Sequence, residues 1–344
     1  MNPNQRATVG RDEPLSVRAR EVFRDQEGRS VHTLRVAVTK DCNLRCRYCD
    51  SGREDSSNGA APAPDRLLQA IGCLEKAFAF QKIRFTGGEP LLCPGLLPLI
   101  RGISSVGAEA VLALTTNGTL LQRWSDRLIQ AGVKRFNVSL DALSPEVYSR
   151  VSGGGDVDLV LRGLRGLQSA EDAVVKLNCV LLPEENRGEW TPLTRFALRR
   201  GWELRFIERI PRPGEISRRN SDRTPFVELQ RLLSQAFELR PLGRLAGTTA
   251  ERYAVAGDGL SGVLGFIPAV TGSFCSDCGR LRLDSNGRLW RCLFSRRGYP
   301  LMERLETCGK DEVFDELVEY VFHKPPTPAV RDQAAMGGMC CRGG

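Results

Sequence analysis

The stretch TLRVAVTKDCNLRCRYCD, residues 33–50, runs from an alternating apolar segment into three cysteines within eight positions, set among charges. Residues 33–38 read as a β-strand, and the thiols follow its end. Three is an awkward number of thiols. Disulfides need pairs, and structural zinc closes with four Cys or His ligands, whereas this chain has only His32 and His323 to lend. Iron–sulfur clusters are held by thiolates and accommodate a substrate at an iron that lacks a protein ligand. Three cysteines on a four-iron cube leave one such iron. A zinc knuckle borrowing a histidine and a fortuitous group of reduced thiols are the competing readings.

Working outward, 344 residues at 41% hydrophobic suffice for one large or two ordinary cores. The first thirty residues are charged and lack an apolar signal region. The most apolar later stretch, PLLCPGLLPLI (90–100), is cut by three prolines, so no signal peptide or spanning helix is expected and the chain is placed in the cytoplasm. There the twelve cysteines stay reduced, which favours metal ligation over a disulfide framework. The net charge of +8 favours anionic partners. Only seven of the 49 basic residues are lysine, so one arginine says little and a lysine in an apolar strand says more.

Strand-like runs at 33–38, 82–86, 110–115, 134–140, 174–180 and 202–207 alternate with helix-like segments near 64–79, 119–131, 156–170 and 189–200. Six strands joined by helical crossovers predict a parallel α/β unit, either an open sheet or a partial barrel, with ligands at the carboxyl ends of the strands. TGGEP (86–90), TTNG (115–118) and SLD (139–141) lie at such ends. After residue 208 the pattern changes to a Pro/Arg-rich link, a short helix near 225–237, hairpin-like strands from 252 to 294, a helix near 310–322 and a Gly-rich tail. This part contains FCSDCGRLRLDSNGRLWRCLF (274–294), a second set of three cysteines spaced Cys-x2-Cys-x13-Cys. GDGLSG (257–262) leads into strand-like VLGFI and reads as turn glycines. No GxxxxGK[ST] occurs, so a nucleotide would bind without a P-loop.

C-x3-C-x2-C with Tyr48 before its last cysteine, followed by TGGEP, resembles the radical S-adenosylmethionine (SAM) enzymes. LRVAVTKDCNLRCRYC, KIRFTGGEPLL, LTTNG, FNVSLDALSPEVY, VKLNC, RFIE and FCSDCGRLRL through Cys292, in that order, resemble the GTP 3′,8-cyclase family from about residue 33 to the end. The resemblance implies a partial (β/α)6 TIM-like barrel over residues 31–208, after an N-terminal extension of 1–30. A C-terminal module of 209–324 would close the barrel, and a tail of 325–344 would end in Gly343 and Gly344.

The same resemblance implies that Cys42, Cys46 and Cys49 hold a first 4Fe-4S cluster, and Cys275, Cys278 and Cys292 a second. SAM would contact Tyr48, Gly88, Ser139 and Ile210. GTP would contact Arg35, Arg84, Thr115, Lys176, Arg280, Leu281 and Arg282, with Lys82 and Arg205 as further candidates. Arg280, Arg282, Gly343 and Gly344 would serve catalysis. The implied reaction converts GTP to (8S)-3′,8-cyclo-7,8-dihydroguanosine 5′-triphosphate in molybdenum cofactor biosynthesis, a radical lyase chemistry in which the ribose 3′ hydrogen is abstracted and the sugar carbon attacks guanine C8. Implied partners are a one-electron donor such as flavodoxin or ferredoxin and the cyclic pyranopterin monophosphate synthase that takes the product. A membrane or stable nucleic-acid partner is not expected, and the chain is read as a monomer or homodimer.

Three departures stand out: Asp50-Ser51-Gly52 where the family usually has Met-Pro, Cys93 where a basic residue is common, and Cys340-Cys341 ahead of the final Arg-Gly-Gly. They leave the ligands intact and keep open a paralogous two-cluster enzyme acting on another nucleotide or a natural-product intermediate. A non-enzymatic zinc protein binding nucleic acid would need fourth ligands and stacking aromatics, and aromatics are only 7% of the chain. Cys73, Cys93, Cys179 and Cys308 are read as small buried hydrophobes.

Overall fold

The computed structural model describes residues 22–49, 63–211, 225–272, 275–295 and 297–326. All six expected strands form: β1 (Thr33–Ala37), β2 (Lys82–Thr86), β3 (Val111–Thr116), β4 (Val133–Ser139), β5 (Val174–Leu181) and β6 (Glu203–Glu208). They pair in parallel in sequence order. The crossovers are α1 (Pro64–Phe78), α2 (Leu96–Gly102), α3 (Leu121–Gln130), α4 (Pro145–Ser152), α5 (Val157–Gln168) and α6 (Trp190–Leu198). The sequence reading left α4 out, although its capping signals are written in the chain. Ser144 accepts from the Val147 N–H at 3.4 Å, Pro145 opens the helix and Gly153 ends it at φ +74°.

Strands buried on both sides in a parallel sheet ordinarily read as unbroken apolar runs. These alternate instead. Leu34, Val36, Ile83, Phe85, Leu114, Phe136, Val138, Leu177, Cys179, Leu204 and Phe206 fill one face and pack into a single core with Leu67, Ile71, Leu74, Leu121, Leu164, Trp190 and Leu193 of the helices. Each such side chain contributes roughly 1.5–3 kcal/mol of burial. The opposite face carries Arg35, Lys82, Arg84, Thr115, Arg135, Ser139, Lys176, Asn178, Glu203 and Arg205, as the pairing register requires of residues two apart. A polar face inside a parallel sheet is a place for a ligand.

The C-terminal module supplies α7 (Pro225–Leu233), β7 (Glu238–Arg244), β8 (Glu251–Gly257), β9 (Leu260–Ile267), β10 (Arg280–Leu283), β11 (Leu289–Trp290), α8 (Leu301–Thr307) and α9 (Lys310–Phe322). Its strands extend the sheet at both edges, in the order β11-β10-β1-β2-β3-β4-β5-β6-β9-β8-β7, with β10 parallel to β1 and β9 parallel to β6. The partial barrel is not closed by strand hydrogen bonds. Its two edges nevertheless meet, because the turn between β7 and β8 touches the loop before β10, where the Gly247 N–H donates to Asp277 Oδ2 at 3.0 Å. Residues 22–30, the described part of the expected extension, fold onto the same body. The Gln26 N–H donates to Phe322 O at 3.0 Å, and Phe23 meets Phe78 edge-on at 5.0 Å.

Candidate active site

The loop after β1 brings Cys42, Cys46 and Cys49 together beyond the carboxyl ends of the strands, and three neighbouring segments fix it there. Gly88 N–H donates to Thr39 O at 2.9 Å and Glu89 N–H to Asp41 O at 2.7 Å. A Cβ on Gly88 would lie 2.1 Å from Asp41 O, and one on Gly87 2.4 Å from Thr39 O. The paired glycines therefore let the TGGEP backbone lie against the cysteine loop itself. The Glu89 carboxylate, fully buried, accepts from Thr116 Oγ1 and the Asn117 N–H, both at 2.7 Å, and so joins the ends of β2 and β3. Burial pushes its pKa up to about 7 against the pull of those hydrogen bonds. Asn117 Nδ2 in turn reaches Cys42 Sγ at 3.8 Å and Asn43 Oδ1 at 2.9 Å. From the other side, Arg45 and Arg47 N–H groups donate to Ser152 O (2.9 Å) and Val151 O (3.0 Å) at the end of α4.

Tyr48 donates its hydroxyl to Asp141 Oδ2 at 2.6 Å, and Asp141 Oδ1 accepts from the Val180 N–H at 2.8 Å. Burial raises the Asp141 carboxyl to about 6 despite these bonds. Asn186, 1% exposed, ties the same corner together through Nδ2 to Asp141 O (3.0 Å) and Val180 O (2.9 Å).

The second set stands at the other end. Because Arg280 pairs with Thr33 in parallel register, Cys275 and Cys278 lie beside the start of β1, while Cys42 lies beyond its end. Roughly 16 Å of strand separates the two levels. Arg29, 5% exposed, bridges three chain segments here. Its Nε meets Asp25 Oδ2 at 2.6 Å, Nη1 donates to Cys275 O at 3.3 Å, and Nη2 donates to Lys324 O and Pro325 O at 2.9 Å. Lys324 donates to Cys278 O, and Arg280 Nε to Cys278 Sγ at 3.2 Å. Burial works to raise the Cys278 thiol, but Arg280 and Lys324 overcome it and bring the pKa down to about 6.

Between the two ends lies the cationic face. Arg282, Arg35, Arg84 and Arg135 fall on one level of the register, through Ala113. Burial and then Arg282, Arg84 and Arg280 hold the Arg35 guanidinium well below its ordinary range. Burial with Arg205 and Arg135 brings Arg84 down to about 9, and burial with Arg84, Arg135, Lys176 and Arg205 brings Lys82 down to about 8. Like charges held this close favour an anion.

Most of the residues expected to contact GTP stand on this face. Arg84 Nη1 donates to Thr115 Oγ1 at 3.2 Å. Lys176 requires a correction of the sequence argument, which gave a buried lysine an external anion: Glu203 Oε2 accepts from its Nζ at 3.0 Å, and Arg205 pairs with the same carboxylate. Burial opposes ionisation of Glu203, yet Arg205 and Lys176 hold its pKa below the usual range. Leu281 is fully buried and its side chain sits on the level and face of Leu34, in the core and away from the cavity. Ser139 closes β4 beside Asn178, and Ile210 is half-buried just past β6. Asp50, Cys340, Cys341, Gly343 and Gly344 lie outside the described residues. Sequence reasoning passed over Glu89, Asp141, Asn186, Arg29 and Glu203. TGGEP and SLD already contain the first two, but the others carry no local signal.

The arrangement is two thiol sets at opposite ends of a parallel α/β sheet with a cationic face between them. Residues 36–197 match the family model described as Radical SAM superfamily, and residues 202–329 the one described as Molybdenum Cofactor Synthesis C. In fold the chain is similar to Streptococcus suis SuiB bound to S-adenosylmethionine, at a TM-score of 0.58 and 13% identity, covering 86% of this chain and 66% of that one. It is 36% identical over 305 residues to the GTP 3′,8-cyclase of Geobacter sulfurreducens, covering 88% of this chain and 92% of the relative. To the GTP 3′,8-cyclase of Rhizobium etli it is 35% identical over 330 residues, 94% of this chain and 92% of that one. The chain belongs to the GTP 3′,8-cyclase family of radical SAM enzymes.

The enzyme uses a 4Fe-4S cluster and SAM, with a second cluster fitting the C-terminal region. The thiols suit such groups. Among the described residues, no three His, Cys, Asp or Glu side chains converge on a point that a single ion could occupy. Within each set, however, they are near enough to feel one another: burial, Asp141, Cys49 and Cys42 raise Cys46, and burial, Cys278 and Cys292 raise Cys275. Thiols grouped in threes this close fit the irons of a cube. The buried Asn178 Oδ1, on the cationic face beside Ser139, has no hydrogen-bond partner and leaves an acceptor for a bound group.

Proposed function

We propose that this chain converts GTP to (8S)-3′,8-cyclo-7,8-dihydroguanosine 5′-triphosphate, with Cys42, Cys46 and Cys49 holding the cluster that binds SAM and Cys275, Cys278 and Cys292 holding the second. The observation that carries the reading is the cationic inner face between two thiol sets at opposite ends of one sheet. A nucleotide triphosphate there has one end at each set. When bound, the first cluster and SAM supply one-electron hydrogen-abstraction chemistry. The chain's own residues do the rest. Lys82, Arg84, Arg35, Lys176 and Arg282 neutralise the phosphates, the wall of β1–β6 excludes water, and Arg280 and Arg282 stand between the substrate and the Cys278 thiolate. Ser139 and Asn178 orient SAM at the carboxyl ends, with the Gly88 backbone and Ile210. Gly343 and Gly344 take part in catalysis.

A soluble one-electron donor such as flavodoxin or ferredoxin, and the synthase that consumes the product, are the partners in this reading, with the cytoplasm as location. Among the described residues no helix is long and apolar enough to cross a membrane. The test is anaerobic turnover of the reconstituted enzyme with SAM, GTP and a reductant, followed by mass analysis. The expected product is isomeric with GTP, accompanied by 5′-deoxyadenosine and methionine. SAM cleavage that is indifferent to GTP but stimulated by another nucleotide would overturn the substrate and leave the superfamily untouched.

A further inference from the structure

Side chains join β7, at one edge of the sheet, to the loop before β10 near the other. Arg244 ends β7, and its Nη1 donates to both carboxylate oxygens of Asp277 at 2.7 Å and to Thr248 O at 2.9 Å. The Gly247 N–H donates to the same carboxylate at 3.0 Å. Asp277 lies between Cys275 and Cys278. On its other flank the turn stands against the residue that leads into β1, since a Cβ on Gly247 would fall 2.6 Å from His32 Nε2, as would one on Gly279. Yet β7 is the edge strand at one end of the strand order, and β10 is next to last at the other.

We propose that Arg244 and Asp277 are positioning residues, a clasp that holds the second-cluster loop from the far edge of the sheet and shuts the side wall of the cavity. Ion pairs open to solvent add little to stability, so stability is not the measure of this one, whose Arg244 Nε also stands 3.7 Å from Glu251 Oε1. Its significance lies in where the carboxylate sits and in the donors that converge on it. The β1 side anchors the loop through Gly279 O, which accepts from the His32 and Thr33 N–H groups at 2.9 and 3.1 Å. The clasp supplies the opposing restraint. Arg280 and Arg282 follow the loop at once, so their aim into the cavity depends on both anchors.

The test uses two readouts. In protein whose Cys42, Cys46 and Cys49 are all alanine, only the second cluster remains, and its electron paramagnetic resonance spectrum after reduction is compared with and without Arg244→Ala. The expected result is shifted or broadened signals at unchanged iron content, returning toward the parent in Arg244→Lys. In the full enzyme, and resting on the GTP reading, Arg244→Ala raises the KM for GTP about tenfold and leaves the GTP-independent cleavage of SAM as it was. An unaltered second-cluster spectrum in Arg244→Ala overturns the clasp whatever the substrate proves to be. If that variant loses the second-cluster iron, Asp277→Asn takes its place: it keeps an acceptor for Gly247 and removes the charge. A spectrum identical to the parent then overturns the proposal, and a shifted one supports it.

Discussion

Gly88 shows how narrow the tolerances at this site are. A methyl group there would stand 2.1 Å from Asp41 O, a main-chain atom with no freedom to yield. Gly88→Ala is therefore expected to displace the first cysteine loop. Iron analysis after anaerobic reconstitution should show about half the parent's iron, with the second cluster's spectrum retained; a full complement would refute this account of the loop. Lys176 carries a second prediction. Its partner Glu203 competes with any phosphate for the same ammonium group, so the two substitutions should act in opposite directions. Lys176→Ala removes a charge-assisted contact and should weaken GTP binding roughly tenfold or more. Glu203→Gln frees Lys176 and Arg205 and should tighten binding severalfold. Equal weakening by both in calorimetric titrations would instead make Glu203 a structural anchor whose loss disorders the face.

Among the elements, the loops after β1, β2, β3 and β4 support one another, and the corner between β4 and β5 rests on Asn186. Its Oδ1 accepts from the Leu182 N–H and from Trp190 Nε1, both at 3.0 Å, and its Nδ2 serves two carbonyls. Asn186→Ala strands these groups in the interior. The expected cost is about 2–4 kcal/mol, read as a lower midpoint in urea, together with a weakened hold on Tyr48 through Asp141. A midpoint within error of the parent would mean that the corner re-forms its bonds without Asn186. Gly153, at φ +74° with its Cβ direction 2.4 Å from Arg45 O, makes the end of α4 equally intolerant of a side chain.

Across the whole molecule, the crowding of cations makes nucleotide affinity depend on pH. Lys82 loses its proton near pH 8 in the free site, where an ordinary lysine keeps it to about 10.4. A bound polyphosphate favours the charged form, so binding above pH 8 must take up a proton and affinity must fall as pH rises through 8 to 9. Arg84, brought to about 9, acts in the same direction. Lys82→Met should lower affinity at pH 7 and flatten its fall between pH 7.5 and 8.5; an unchanged slope in the variant would exclude Lys82 as the titrating group. The placement of the thiols at opposite ends of β1 predicts independence as well. Alanine at Cys42, Cys46 and Cys49 together should abolish SAM cleavage and leave about half the iron. Alanine at Cys275, Cys278 and Cys292 should leave SAM binding intact. Loss of all iron in both proteins would point to one shared centre.

Strand periodicity and cysteine spacing are local properties that survive without knowledge of the fold, so the six parallel strands and the two cysteine sets were legible in the chain, while most of the inward cations came with the family resemblance. Sequence reasoning missed the residues whose role is to connect. Glu203 is 27 positions from Lys176, Arg29 is 246 from Cys275, and Arg244 is 33 from Asp277. Nothing in the neighbouring sequence of each marks the partner. The two thiol sets also face different ends of the sheet, which spacing cannot tell; it follows only from β10 entering parallel beside β1. TGGEP was legible at the end of a strand, but the surface its glycines approach is the main chain at Thr39 and Asp41, brought there by strand pairing. Local pattern fixes which groups a chain has to offer, and only packing over long separations in sequence fixes which of them meet.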